Sequence, residues 1–161
     1  MGDNLKNAVQ PAKKINKSVL ALNKQKAYAE GIKLIERSKT CLLGTNGEGG
    51  FPNIKAMMNL KHEGLKKIWF STNTSSKRVR QLRKDNRACV YYVDEKNFIG
   101  LMLVGTIEIL QDIDSRKMLW TEGAEVYYPL GLEDPDYSVL NFTAQYGNFY
   151  QGLKNLDIEI E

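Results

Sequence analysis

The residues best equipped for chemistry are Phe70-Ser71-Thr72-Asn73-Thr74-Ser75-Ser76-Lys77-Arg78. A short apolar run, Ile68-Trp69-Phe70, feeds a hydroxyl-rich turn, which opens a basic segment with helical spacing, Lys77 to Lys84. A strand that leads through small hydroxyl residues into a helix suits phosphate. The first N–H groups of a helix have no partner within it, and the helix dipole favours negative charge there. Thr72, Ser75 and Ser76 can add O–H donors, and Lys77 and Arg78 can add charge-assisted bonds. The same residues support a plainer reading, in which Ser75 caps the helix and Lys77, Arg78, Arg80, Arg83 and Lys84 form a solvated face. The glycine spacing of a Walker loop or a dinucleotide fingerprint is not there.

The elements that must position this turn belong to a chain of 161 residues, long enough for one domain with a real core. Hydrophobic content of 42% and charged content of 26% are ordinary for a globular protein. Runs such as Leu101-Met102-Leu103-Val104 are far too short to span a membrane. The scattered early lysines do not make a signal peptide, so a cytoplasmic protein without membrane contact is expected. The basicity is segmental: nine Lys and Arg against three acids up to Lys39, then 14 against 16. Neither basic region interleaves aromatic residues as a single-strand binder would, which argues against nucleic acid. Cys41 and Cys89 lie in apolar runs and read as buried small hydrophobes rather than a disulfide or metal pair. With His62 the single histidine, a zinc site is not expected; His62 itself reads as an exposed loop residue.

Periodicity divides the chain into a basic arm or extra helix over residues 1–22 and a domain over 23–161. A helix is expected from Asn23 to Arg37, weakened by Gly31, then a buried strand Thr40–Thr45 and a hairpin turn over Asn46–Gly50. The next strand alternates, with Ile54, Ala56, Met58 and Leu60 on a core-like face. Asn53, Lys55, Met57 and Asn59 form a mixed face that suits either a polar ligand or solvent. A loop with His62, the strand ending at Thr72 and the basic helix follow, with Val79 and Leu82 facing inward. Strands Ala88–Val93 and Ile99–Ile109 come next, the second with Gly100 and Gly105 as bends. A helix over Ser115–Trp120, an acidic loop over Gly123–Asp136, a strand Tyr137–Thr143 and a Phe149-Tyr150 tail complete the order. The short connections favour antiparallel pairing. The fold class expected is mainly β with peripheral helices, an antiparallel barrel.

This order and these residues resemble the flavin-binding split-barrel family that includes pyridoxamine 5′-phosphate oxidase and related general stress proteins. Three motifs carry the resemblance: Ile68-Trp69-Phe70-Ser71-Thr72-Asn73 with Ser76-Lys77, Gln81-Leu82 and Asn86; Asn53-Ile54-Lys55-Ala56-Met57; and Val104-Gly105-Thr106-Ile107-Glu108. The resemblance covers roughly Asn23 to Tyr150. It implies a homodimer that binds FMN at the subunit interface. Phe70, Ser71, Thr72, Ser76, Lys77 and Arg78 would form the phosphate motif, with Lys55 in place of the family's usual arginine. Ala56, Met57 and neighbouring backbone would run along the flavin ring, and Tyr150 would reach the partner's flavin. The tail Gln151-Gly152-Leu153-Lys154-Asn155-Leu156 lacks the Arg and His that grip pyridoxamine phosphate in the oxidases, so a different substrate is implied. The expected function is that of an FMN-dependent oxidoreductase. The alternatives are a flavin, deazaflavin or haem module without turnover and, further off, a nucleic-acid binder.

Overall fold

The computed structural model describes residues 22–161. The expected arm over residues 1–22 lies outside them except for Leu22, which is buried. Helix α1 (Lys24–Arg37) starts at Asn23, whose side chain accepts the Lys26 N–H. Ala27, Gly31, Leu34 and Ile35 recur at helical spacing and are buried on one stripe. Strands β1 (Thr40–Asn46) and β2 (Pro52–Met58) form a hairpin, with Thr40 opposite Met58 and Asn46 opposite Pro52. A second hairpin joins β3 (Lys61–Glu63) to β4 (Lys67–Asn73). Helix α2 (Lys77–Lys84) follows, then β5 (Arg87–Asp94), β6 (Ile99–Leu110) and helix α3 (Ile113–Leu119). An acidic loop leads into β7 (Tyr137–Gln151), which turns at Gly152 into β8 (Lys154–Glu159).

All strand neighbours are antiparallel, in the order β2-β1-β5-β6-β7-β4-β3, with β8 beside β7. The sheet curls until β2 and β4 approach each other, yet no ladder joins them. This is the antiparallel split barrel that the sequence leads one to expect. Its interior holds Leu43, Phe70, Val90, Tyr92, Leu101, Leu103, Phe142 and Phe149, all 1% exposed or less. Curvature is concentrated at Gly105, where the β6–β7 register shifts between Val104 and Gly105. A Cβ there would collide with the Thr143 carbonyl, so glycine alone lets the two strands pass. Among the described residues no helix is long and apolar enough to cross a membrane.

Four expectations are corrected. Along β2 it is Met57 that is buried, whereas Ile54 and Met58 are 65% and 67% exposed, so the supposed core face points outward. Leu42, from a strand expected to be buried, is exposed on the same outer surface. His62 is not in a loop but on β3, half-buried, with Nδ1 3.1 Å from the Gly64 carbonyl. The expected short last strand and tail are one 15-residue strand followed by β8. That strand is long because its first half pairs with β4 and its second with β8. A smaller second core of Trp69, Leu119, Tyr128, Tyr137 and Val139 lies outside β4, under α3 and the acidic loop.

Candidate functional site

The turn singled out in the sequence sits where the barrel is split. Strand β3 covers only Lys67–Trp69, so the stretch Phe70–Asn73 pairs with β7 on one side and keeps its other backbone edge open. Strand β2 pairs with β1 alone and so presents a second free edge. Two unpaired edges that approach each other without bonding leave backbone donors and acceptors for a ligand.

Alternation along β4 sends its side chains to opposite faces. Phe70 is fully buried in the barrel core, so only its backbone can meet a ligand. Thr72 shares that inner face and is 3% exposed. Ser71 points the other way, into a cavity of about 500 Å³ walled by Leu119, Tyr127, Tyr128 and Tyr137. The structure therefore separates Ser71 from Thr72 by side-chain direction, while the backbone between them stays continuous.

Thr72 and Arg78 are brought together. The guanidinium NH1 of Arg78 donates to Thr72 Oγ1 at 2.6 Å. Burial lowers the Arg78 pKa, a sign of the desolvation its charge bears. Among the described residues no carboxylate pairs with it. Tyr128 acts in the opposite sense, and less than burial does. A half-buried cation with one neutral partner fits an anion that would complete its coordination.

The helix start differs in detail from the sequence expectation. Ser76, not Ser75, caps α2 by accepting the Val79 N–H at 3.4 Å. Ser75 is held by Asp136, which accepts its N–H at 2.7 Å and its hydroxyl at 3.1 Å. Asp136 also accepts Asn73 Nδ2 at 2.7 Å, and these bonds, that of Asn73 first, hold its pKa below the usual carboxylate range. Thr74 is paired with Ser138 at 2.6 Å. The hydroxyls of Thr74 and Ser75 therefore shape the turn. The Lys77 and Arg78 N–H groups have no acceptor among the described residues, and they are the free donors at the helix end. Lys77 is exposed, and its flank of the helix opens onto a groove with Arg80, Gln81 and Lys84 rather than toward Thr72.

On β2, Lys55 and Met57 share one face, with Met57 buried in the barrel core and Lys55 exposed. That face is the one turned to the barrel interior. Ala56 faces outward with Ile54 and Met58, so its backbone is what borders the split. Tyr150 lies at the far end of β7 from Tyr137, which is paired with Asn73. There its hydroxyl accepts from Tyr91 at 3.0 Å, and its ring crosses over Gly100 and meets Phe98 edge-on. Burial and the Tyr150 contact push the Tyr91 hydroxyl up to about 12. Within one chain, Tyr150 is not part of the Thr72–Arg78 cluster. Sequence reasoning missed Asp136 and Tyr128, whose loop comes 50 residues later in the chain and reaches the turn only through the β4–β7 pairing.

The fold has relatives. The family model described as "Pyridoxamine 5'-phosphate oxidase like" matches residues 26–157. A solved structure from Clostridium acetobutylicum, a protein related to general stress protein 26 of B. subtilis (pyridoxinephosphate oxidase family), is 57% identical. The match covers 86% of this chain and 97% of that one, with a TM-score of 0.77. General Stress Protein 26 from Bacillus anthracis str. Sterne has a TM-score of 0.66 at 19% identity, covering 80% of this chain and 97% of that one. A heme binding protein from Mycobacterium smegmatis has a TM-score of 0.69 at 16% identity, covering 86% and 60%. At such identities these last two share the fold alone. No curated protein matches the sequence.

Proposed function

The chain belongs to the pyridoxamine 5′-phosphate oxidase-like family, and from that premise we propose that it binds FMN and acts as an oxidoreductase. The observation that carries the reading is the Arg78 guanidinium, half-buried at the barrel split, bonded to Thr72 and without a carboxylate. The N–H groups of Lys77 and Arg78, without acceptors among the described residues, open the same helix. A phosphate monoester fits this donor set. Arg78 and the two N–H groups supply charge and direction, Thr72 orients the guanidinium, and Ser76 fixes the helix start. Lys55 adds a cation from β2, whereas the Lys77 side chain opens onto the neighbouring groove and gives the cradle only its backbone N–H. Ser71 contributes from its own side of β4, next to the Tyr-lined cavity. When bound, FMN would supply the hydride or electron transfer, and the chain would supply placement and electrostatics. The open edges of β2 and of Phe70–Asn73, with Ala56 and Met57 on one side, would border the ring.

A homodimer is part of the same proposal. Leu42, Ile54, Met58, Val93 and Tyr146 are all 40% exposed or more on the outer surface of β2-β1-β5-β6-β7. Apolar side chains concentrated on one sheet face fit a covered surface better than water. A second copy placed there would also bring Tyr150, on the same side of the sheet, toward its partner's flavin. The haem reading has no comparable support in the donor set.

The test is a fluorescence titration of the purified protein with FMN and with riboflavin, which differ by the phosphate alone. FMN should bind at least tenfold more tightly. Equal affinities would refute the phosphate reading. A deazaflavin would betray itself by its own visible spectrum in the purified protein.

A further inference from the structure

On the other flank of α2 lies a groove of about 500 Å³ between the helix and the Asn46–Gly50 turn. Lys77, Arg80 and Lys84 line it from successive turns of the helix, a row about 10 Å long. Among the described residues none of the three pairs with a carboxylate. Arg80 is steadied by NH1 donating to the Ser75 carbonyl at 2.8 Å. Arg87 also lines the groove but is closed onto Asp85, at 2.7 Å. Asp85 further accepts Asn46 Nδ2 at 2.9 Å and so latches the turn to the end of the helix. Glu48, on the turn, is the other carboxylate of the lining.

At the floor is Gln81, 6% exposed. Asn53 Nδ2 donates to Thr45 Oγ1 at 3.4 Å, and the Thr45 hydroxyl donates to Gln81 Oε1 at 2.8 Å. A hydroxyl has one proton, so this relay fixes the amide with its NH₂ pointing away from Thr45. That Nε2 has no partner. It lies under Gly47, where a Cβ would stand 3.5 Å from it. A buried amide donor without an acceptor, in a lining shared with three cations, calls for a ligand that brings oxygen and negative charge.

We propose that this groove is an anion site separate from the Thr72–Arg78 cradle, and that it takes the diphosphate group of a small molecule. The length of the cationic row and the volume exceed what a single phosphate occupies. The braced turn and the directed Gln81 amide distinguish the groove from a loose basic surface. Gln81 Nε2 would bind one oxygen at the floor, with Arg80 and Lys84 along the wall.

The test is calorimetric titration of the full chain with pyrophosphate, first as purified and then with excess FMN. One site per chain is expected, unaffected by FMN. The pair Arg80→Gln and Lys84→Gln, both exposed, should weaken pyrophosphate binding at least tenfold. Gln81→Glu, which keeps the acceptor for Thr45 and replaces the donor by a repelling oxygen, should do the same. Arg83→Gln, on the same helix but outside the groove, should change it less than twofold. The proposal is overturned if pyrophosphate does not saturate a site, or if Arg83→Gln weakens binding as much as the double variant does. It is also overturned if FMN displaces pyrophosphate, or if Arg78→Ala rather than the double variant abolishes it. FMN titration of the same variants keeps this outcome apart from that of the flavin proposal.

Discussion

Replacing Arg78 by alanine tests the flavin cradle where it is most exposed to refutation. In the structure the guanidinium makes one bond, to Thr72 Oγ1, and no ion pair among the described residues. A charge-assisted bond to a phosphate contributes about 1.5–3 kcal/mol. Arg78 is only half-buried, and water screens such a bond, so the lower part of that range applies. The expected loss of FMN affinity is about 10- to 30-fold, since about 1.4 kcal/mol is a factor of ten. Riboflavin, which offers no phosphate, should bind the variant as it binds the parent. The apoprotein should change little in stability. Losing the bond leaves the Thr72 hydroxyl without that donor, but it also removes a cation that burial disfavours. A net change within about 1 kcal/mol corresponds to about 2–4 °C in Tm for a chain of this size. The assay is flavin fluorescence quenching with both ligands, alongside thermal unfolding of apoprotein. Arg83→Ala, exposed and outside both sites, is the control. An unchanged ratio of FMN to riboflavin affinity would show that the phosphate does not sit at Arg78. Equal loss for both ligands, with a large fall in Tm, would show that Arg78 serves packing. Lys77→Ala then apportions the work: a tenfold loss of FMN affinity puts Lys77 at the phosphate, and no loss leaves it to the neighbouring groove.

Three further outcomes follow from the packing. Gly31→Ala should stabilise the protein by about 0.5–1 kcal/mol in thermal or denaturant unfolding, because a Cβ there meets only Leu65 and Leu101 methyl groups at 3.5 Å; a lower Tm would contradict it. Ile54→Lys, on the outward face of β2 where Ile54 is 65% exposed, should turn a dimer into a monomer in light scattering while leaving monomer stability within about 0.5 kcal/mol; a dimer that persists unchanged would move the interface elsewhere. Burial pushes the Cys41 thiol up to about 11 from its ordinary 9.0. Through that window the unfolded chain binds fewer protons than the folded one, so the contribution of Cys41 is present at lower pH and lost as pH rises toward 11. A thiol reagent at pH 8 should accordingly leave Cys41 unmodified until the protein is unfolded, and rapid labelling of both thiols in the folded state would refute this.

Much of the barrel was legible because the elements announce themselves locally. The helical stripe from Asn23, the Asn46–Gly50 turn between two strand runs, and a hydroxyl run ahead of a basic amphipathic segment each carry their own physical reason, although the cap in that run is Ser76 and not the Ser75 expected. Gly105 was readable as a bend, since a glycine inside an apolar strand marks close passage of another backbone. What escaped depends on contacts distant in the chain. The joining of Tyr137–Gln151 into one strand has no local cue, because the polar stretch around Gln145 is tolerated only by having β6 on one side and different partners on the other. Strand β8 escaped for a similar reason: Leu156 and Ile158 alternate for too few residues to stand out.

The reversed phase of β2 is the instructive case. Alternation divides a strand into two faces, but it does not say which face meets the core. Ile54, Ala56 and Met58 look like core residues because the apolar character that marks a core also marks the exposed face proposed for a second copy. Lys55 reads equally as a solvent residue or a ligand residue, because a lysine at the mouth of a barrel breaks the apolar pattern either way. Placing Met57 in the barrel core settles both faces at once. The apolar face becomes the surface that the proposed second copy would cover, and Lys55 falls on the same face of β2 as the buried Met57. The residues that break the hydrophobic pattern on the inside are Lys55 on β2 and Thr72 on β4, the latter bonded to Arg78. Both strands carry an unpaired edge, and polar residues at their inward positions are what the proposed flavin would account for, since folding energetics alone favour apolar side chains there.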